Sequence, residues 1–328
     1  MAHSIHPIPA SSLIPACDRT VSGPVAVGPT LQPLPLLGLL AAAALTDWLV
    51  TRTLTRLAIF LPKSPLMISG YQALSWLGLL GSTLAALLVV VGSVRLVTVE
   101  WRQLGGKALA LAAAGLVGLG LLFLVVPPGR WLVAYHLLAL LCLALLGRRA
   151  LLSHAVSRRV LLIPAAAMMC ATLHQSAPAL YGLLGWAGPA TWGKPAFLVG
   201  EALVIAGAAA LWWGYGRGAS GRVRLLALLP ALLFAVAYLG SPAMTATVVI
   251  WSNGLTLYLP WWLYAGALWL MTTAVLEQAY IGDGRTAAAL LLLAAAGYAP
   301  QLNSQFLMGV LALWLLQLSP QLSPQHPT

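Results

Sequence analysis

Charged side chains are scarce in this sequence of 328 residues, of which only 7% are Asp, Glu, Lys or Arg and just six are acidic. Roughly 25% would be charged in an ordinary soluble domain. Hydrophobic residues make up 61% instead. Apolar runs long enough to cross about 30 Å of hydrocarbon recur from Pro33 to Leu318. Because no stretch outside these runs is long enough for a soluble core, the sequence predicts an all-α, polytopic transmembrane helix bundle.

Cysteine is also scarce. Cys17, Cys142 and Cys170 form neither a CxxC pair nor a cluster with histidine. Iron–sulfur clusters and structural zinc sites need such groups of ligands, so we expect no metal site and no cluster in this chain. The sequence also lacks a phosphate loop, a nucleophile elbow, a paired-aspartate prenyl diphosphate motif and an HExxH motif. The absence of these motifs argues against a membrane enzyme that acts without a partner subunit.

One membrane domain, residues 33–318, is predicted between two polar ends. Residues 1–32 mix Pro, Ser, Gly and His without periodicity, which is typical of disorder, and the tail 319–328 is predicted to be disordered too. A window of about twenty residues separates about ten or eleven spans. Their approximate limits are 33–50, 69–91, 107–127, 130–147, 160–185, 196–215, 224–240, 243–259, 261–281, 286–302 and 304–318.

The basic residues predict the orientation. The net charge of +11 comes from Lys and Arg residues that collect in short loops. Three of these loops, 92–107, 147–159 and 217–223, are separated from one another by two predicted spans and therefore share a side. The positive-inside rule makes that side cytoplasmic. Charges placed in this way do not form the single water-facing stripe that a nucleic-acid partner would need.

Several ionisable residues interrupt the predicted spans. Counted at about 1.5 Å per residue, His136, His174 and Glu201 fall at similar depth, in the half of the bilayer away from the basic loops. Asp47 and Glu277 lie near span ends on that same outer side. Ionisable groups in hydrocarbon usually line a cavity or a proton path, although groups near a helix end also snorkel to the interface. Snorkelling is the simpler interpretation for Asp47 and Glu277, whereas we favour function for the other three.

Two histidines at matched depth on neighbouring helices suit two kinds of site. His136 and His174 can ligate one b-type haem, whose iron accepts axial imidazoles. They can instead bind a quinone head group, because a neutral imidazole accepts a proton from a quinol hydroxyl. Glu201 would then suit a proton exit to the outer water. A third alternative is a small-solute or ion transporter that uses the buried acids as coupling residues.

Two motifs resemble a known family. Residues 173–176 read Leu-His-Gln-Ser, and residues 192–197 read Trp-Gly-Lys-Pro-Ala-Phe. They resemble the NrfD/HybB family of quinone-interacting membrane subunits, whose pattern is approximately Leu-His-Gln-Ser-Ser, a Gly, and then His-Pro-Leu-Trp-x-x-Pro-x-x-Phe. In this chain the second Ser is Ala177 and the His-Pro pair is missing. An Arg-led span that ends at Asn303 is similar to a second motif of the family.

The resemblance implies a quinone-interacting subunit of a respiratory oxidoreductase, multi-pass in a prokaryotic cytoplasmic membrane. It implies no haem and no iron–sulfur cluster in this chain, so electrons would pass between quinol and a partner iron–sulfur subunit. That partner and a catalytic oxidoreductase subunit would dock on the extracytoplasmic face. The resulting candidates are His174, Gln175, Ser176, Trp192 and His136 for quinone binding, Glu201 for proton transfer, and Asn303, Asp47 and Glu277 as further site residues.

Overall fold

The computed structural model describes part of the compact unit Pro33–Thr328. The described residues are helical and include no strand, which confirms the all-α prediction for this part of the chain. The predictions for residues 1–32, for the first span with Asp47, and for residues 319–328 lie outside the described residues. Those described are Gly38, 64–103, 105–123, 125–185, 188–239, 259–298 and 303–318.

Most of the described helices are joined by short connections, and the longest interval between two of them is residues 240–260. Their bounds are α1 Pro65–Trp101, α2 Lys107–Leu122, α3 Trp131–Leu152, α4 Val156–Arg159, α5 Leu162–Leu184, α6 Gly188–Tyr215, α7 Gly221–Leu226, α8 Leu228–Leu239, α9 Trp261–Tyr280, α10 Gly284–Tyr298 and α11 Asn303–Leu318.

Four helical segments are long and apolar enough to cross a membrane. In each, only 25% to 33% of the most apolar window is buried within the protein. Leaving that much apolar surface in water would cost about 25 cal/mol for every Å², so the surroundings that suit these segments are hydrocarbon. The four segments are Ile68–Trp101, Trp131–Leu152, Val156–Leu183 and Pro195–Tyr215.

Helix α1 is longer than the predicted second span, 69–91. It continues through Gly92 and the half-buried Arg95 to Trp101. The prediction that a loop begins at residue 92 is therefore wrong, because the connection to α2 starts only after Trp101. The helix is held at this end by packing, since a Cβ at Gly92 would meet the Leu311 side chain of α11 at 2.6 Å.

Glu100 anchors that end of α1. Its side chain is fully buried and accepts two hydrogen bonds from Arg149, at 2.9 and 2.6 Å. The Trp314 indole N–H donates a third hydrogen bond to the same carboxylate, at 2.7 Å. These contacts join α1, α3 and α11. We call this end of the bundle the basic end. It includes the α1–α2, α3–α5 and α6–α7 connections and their arginines.

Glycines explain the most extensive helix pair, α5 with α6. A repeat of seven residues keeps one seam of a helix against its neighbour, and small residues let two helix backbones approach closely. The repeat on α6 is Gly193, Gly200, Gly207 and Gly214. A Cβ built at these positions would lie 2.9 to 3.6 Å from, in turn, Ala177, Cys170, Pro164 and Val160.

Helix α9 runs in the opposite direction to the predicted one. Gln278 donates a hydrogen bond from Nε2 to the Tyr215 carbonyl at 2.6 Å, so α9 ends beside the end of α6, at the basic end. A Cβ at Gly218 would lie 3.5 Å from Oε1 of Glu277. The prediction that Glu277 lies on the outer side is therefore wrong. It depended on counting 243–259 as a separate crossing, and that segment lies almost wholly outside the described residues.

The predicted orientation can be tested with single cysteines, after the native cysteines have been replaced by alanine. Gln103→Cys and His154→Cys place an exposed thiol at the basic end, and Val125→Cys places one at the opposite end. If the basic end is cytoplasmic, an impermeant thiol reagent added to intact cells should label the cysteine at 125 alone. Labelling at 103 and 154, with protection at 125, would reverse the orientation.

The Glu100 network predicts a stability effect. Arg149→Met leaves a fully buried carboxylate with the Trp314 N–H as its remaining partner. Removing one partner of a buried ion pair costs up to about 3–5 kcal/mol, so the midpoint of thermal unfolding in detergent should fall markedly. Arg148→Met, at an exposed neighbouring position, is the matched control and should change little. Equal shifts in the two variants would mean that Glu100 does not depend on Arg149.

Candidate functional site

His174 is fixed by a backbone carbonyl of the neighbouring helix. Its Nδ1 lies 2.8 Å from the carbonyl oxygen of Gly193. A carbonyl accepts hydrogen bonds and cannot donate them, so Nδ1 carries the proton. The lone pair of the neutral ring is then on Nε2. The ring also packs on Phe197, with the centroids 4.9 Å apart, so both the tautomer and the orientation of this imidazole are defined.

The close approach of α5 and α6 makes this contact possible. Gly193 has no Cβ, and one built there would lie 2.9 Å from the Ala177 Cβ. Each helix also carries an internal proline near this level, Pro178 in α5 and Pro195 in α6. Proline cannot donate to the carbonyl four residues before it and kinks the helix. For Pro178 that carbonyl belongs to His174, so the helical ladder is interrupted at the candidate site.

An apolar cavity of about 70 Å³ lies between α5, α6, α9, α10 and α11. All thirteen lining residues are apolar, so no lining side chain offers a strong hydrogen-bonding group. Met168, Met271 and Phe306 provide its bulkier walls. The space exists because nearly half of the lining is small: Ala167, Ala171, Gly207, Ala208, Ala294 and Ala296.

Polar residues follow the cavity lining at one end. His174 comes three residues after Ala171 on α5, and Glu201 comes three residues before Val204 on α6. Residues three apart share a helix face. Both lie at the end of the lining that is farther from the basic end, because Pro164 and Leu211 line its other end. Neither residue lines the cavity itself, and that His174 and Glu201 belong to one site stays a prediction.

His136 reaches the same region through Phe306. It is buried, with 3% of its surface exposed, and its ring meets Phe306 edge-on with the centroids 5.5 Å apart. Within the described part of the chain its Nδ1 has no hydrogen-bond partner. His136 thus packs on α11, whereas His174 packs on α6. Among the described residues the two imidazoles are not in ring contact with each other.

Glu201 lies deeper in its helix than predicted. Because α6 begins at Gly188 rather than near residue 196, Glu201 is in the middle of a helix of 28 residues. Its side chain is 9% exposed and engaged in an interaction within the protein. The apolar segment of this helix that is long enough to cross a membrane is Pro195–Tyr215, which agrees with the predicted span 196–215 and keeps Glu201 near the start of that span. The same longer helix includes Trp192, predicted to lie in a loop and found half-buried within α6.

The other predicted residues are placed less favourably. Ser176 donates its hydroxyl hydrogen to the Leu173 carbonyl at 2.8 Å, so that hydrogen serves the helix itself. Gln175 is half-buried and already has an interaction partner. Asn303 is the first residue of α11, and Glu277 lies at the basic end. No group of three His, Cys, Asp or Glu side chains among the described residues could hold a metal ion.

Two parts of the site were not predicted. The Gly193 carbonyl and Phe197 hold His174. Both lie within residues 192–197, a motif that was interpreted from its side chains alone. The cavity itself was also missed. Its signal was present in the sequence as the seven-residue spacing of glycines on α6, including Gly207, which lines the cavity.

Comparison with models of known families, with curated proteins and with solved structures finds no match to this chain. The resemblance to the NrfD/HybB family therefore stays a prediction from short motifs.

Proposed function

We propose that this chain is a quinone-reactive membrane subunit of a respiratory oxidoreductase. The observation that carries the proposal is the hydrogen bond from His174 Nδ1 to the Gly193 carbonyl. It commits the lone pair of the neutral ring to Nε2, which makes that nitrogen an acceptor for a hydroxyl group. A fixed imidazole beside an apolar cavity suits a ligand with a polar head and a lipid body.

His174 acts as the first proton acceptor in this mechanism. Quinol oxidation releases two protons and two electrons. A quinol hydroxyl donates to Nε2 of His174, and its proton moves to that nitrogen as the electrons leave for a partner iron–sulfur subunit. The Gly193 carbonyl then faces an imidazolium, whose Nδ1–H is a stronger, charge-assisted donor. The same hydrogen bond therefore orients the neutral base and stabilises its protonated form.

Glu201 takes the second proton. Gly200, its neighbour, lies against Cys170 on α5, one helical turn from His174. That spacing puts Glu201 roughly 6–8 Å along the bundle from the histidine. Because Glu201 lies near the outer end of the apolar segment Pro195–Tyr215, it suits a proton exit toward the outer water.

The proposal includes a setting and partners. The chain spans a prokaryotic cytoplasmic membrane about ten or eleven times, with the basic end in the cytoplasm. An iron–sulfur subunit and a catalytic oxidoreductase subunit dock on the opposite, extracytoplasmic side. Support comes from the end of the cavity at which His174 and Glu201 lie, which is the one farther from the basic end.

A transporter is the second candidate, and one observation favours it. Within the described residues, Oε2 of Glu277 is buried without a hydrogen-bond partner. A buried carboxylate oxygen in this state is costly unless it is protonated or binds a cation. Proton-coupled transport would therefore depend on Glu277, whereas quinol oxidation by the mechanism above does not.

A haem measurement separates the quinone site from a b-type cytochrome. If His136 and His174 ligated haem, the purified protein would show a Soret band that His174→Ala removes. We expect no stoichiometric haem, because the family that the two motifs resemble is free of haem. Haem bound in a one-to-one ratio and lost in this variant would replace the proposal with the cytochrome.

His174→Ala tests the proposal directly. Loss of a general base typically lowers turnover by about 10²–10⁴-fold, so quinol-linked activity of the assembled complex should fall by that order. Activity with an artificial dye that bypasses the membrane subunit should remain. The fold should persist, since a substitution of this kind costs about 1–2 kcal/mol.

Two further variants make the His174 result specific. His154→Ala removes an exposed histidine at the basic end and should leave both activities unchanged. Gly193→Ala would force its Cβ against Ala177 and displace the carbonyl that holds His174, so it should lower quinol-linked activity while preserving dye-linked activity. Normal quinol-linked activity in His174→Ala would show that this histidine only packs.

A further inference from the structure

We propose that the basic end holds a binding site for the head group of an anionic phospholipid, formed by Arg217 and Arg224 at the α6–α7 connection. The proposal requires that the chain lies in a membrane, and it is independent of the quinone site. It is supported by the placement of the two guanidinium groups, by the excess of positive charge around them and by the apolar side chains beside them.

Helix α7 combines exposed cations with exposed leucines. Among its six residues, Gly221–Leu226, the buried side chain is that of Val223. Arg222 and Arg224 are exposed, and so are Leu225 and Leu226. A short helix of this composition is typical of the membrane interface, where cations stay among the lipid head groups and leucines enter the hydrocarbon.

Two tryptophans indicate the same level in the membrane. Trp269 of α9 donates its indole N–H to the Arg224 carbonyl at 2.9 Å. Trp213 of α6 precedes Arg217 by four residues, and its ring is exposed. Tryptophan is enriched at the level of the lipid head groups in membrane proteins. The α6–α7 connection therefore lies at the height of a phospholipid phosphate.

Both guanidinium groups are held in place by contacts within the protein. Arg224 donates from Nη2 to the Arg217 carbonyl at 3.1 Å. The guanidinium carbon of Arg217 lies 5.7 Å from the centroid of the Trp213 ring, which is a cation–π contact. Arginine has five N–H donors, and the hydrogen bond from Arg224 uses one of them. The remaining donors suit phosphate oxygens, which a guanidinium group binds in pairs.

Acidic side chains do not balance these charges. In the part of the chain that the structure describes, Arg217, Arg222 and Arg224 form no ion pair. Glu277 is an acid that approaches the connection, since a Cβ at Gly218 would lie 3.5 Å from its Oε1. One carboxylate beside three arginines leaves a net positive charge, which attracts anionic lipid head groups.

The neighbouring apolar surface favours a lipid over a soluble anion. Leu225, Leu226 and Leu229 closely follow Arg224 and are 61% to 69% exposed. An acyl chain covers such side chains and gains from their burial, whereas inorganic phosphate contacts the arginines alone. The occupant is therefore a phospholipid with a net negative charge.

Lipid titration of the purified full-length chain tests the proposal. The chain in detergent is titrated with phosphatidylglycerol or with phosphatidylcholine that has the same acyl chains, and bound lipid is counted by native mass spectrometry. Phosphatidylglycerol should bind more tightly than phosphatidylcholine. Arg224→Gln and Arg217→Gln should each weaken binding of phosphatidylglycerol by about fivefold, the effect of one basic residue at a membrane surface. Binding of phosphatidylcholine should not change.

Arg148→Gln is the matched control, because it removes an exposed arginine from the same end of the bundle. It should leave the affinity for phosphatidylglycerol nearly unchanged. An equal loss in all three variants would mean that the lipid responds to total charge, and the proposed site would be wrong. Arg217→Gln covers the case in which Arg224→Gln does not fold, since the Arg217 side chain is exposed and contacts a ring of its own helix.

Competition distinguishes the two sources of a phosphate group. Inorganic phosphate in molar excess over the lipid should leave phosphatidylglycerol bound, because it cannot replace the contacts with the leucines. Displacement by inorganic phosphate would identify the ligand as a soluble anion and overturn the lipid assignment. Equal affinity of the unsubstituted chain for the two phospholipids would show that the arginines do not recognise an anionic head group.

Discussion

The close packing of α5 on α6 is the constraint on which the candidate site depends. Among the four glycines spaced by seven residues on α6, Gly193 and Gly200 bring α6 so close to α5 that a Cβ would lie 2.9 and 3.2 Å from the nearest α5 side chain. At Gly193 this approach exposes a carbonyl to His174, and at Gly207 it opens space beside Pro164. One seam of missing side chains thus produces both a fixed imidazole and an adjacent cavity. In a bilayer, where burial of apolar surface does not drive helices together, such close contact is the main source of association.

Acidic residues are few, and the structure uses the buried ones differently. Glu100 is fully satisfied by Arg149 and Trp314, so its charge is compensated and it serves the packing of three helices. Glu277 has an unpartnered oxygen within the described residues, and Glu201 lies beside the cavity. Such charge-assisted hydrogen bonds fix the carboxylate in place and suit it to a structural role. The role of an acid in this chain follows from its partners more than from its depth.

The sequence predicts the helices well because hydropathy records contact with lipid, which is a local property. The direction of the helices after residue 240 could not be predicted in the same way. Counting 243–259 as a crossing reverses the direction of every later span, and for that reason Glu277 was predicted at the wrong end of the bundle. Arg95 and Glu100 were assigned to a loop because charges usually mark loops. The partners that compensate the charge of Glu100 within the helix are Arg149 and Trp314, which are distant in sequence. The His174 partner was likewise hidden, because a backbone carbonyl leaves no residue type to recognise.

The two interrupted helices bear on how a site of this kind can respond to its ligand. Pro178 removes the helical hydrogen bond to the His174 carbonyl, and Pro195 weakens α6 at the same level. Proline breaks lower the cost of small changes in helix direction. In the proposed function, a quinone head group bound at Nε2 of His174 would pull on a residue that is linked to α6 through the Gly193 carbonyl. Protonation of the ring strengthens that link, so the charge state of His174 and the spacing of the two helices are coupled. Between Gly200 and Gly214 the glycine seam of α6 contains no proline, so the proline breaks lie at the same end of the bundle as His174 and the proposed head-group site.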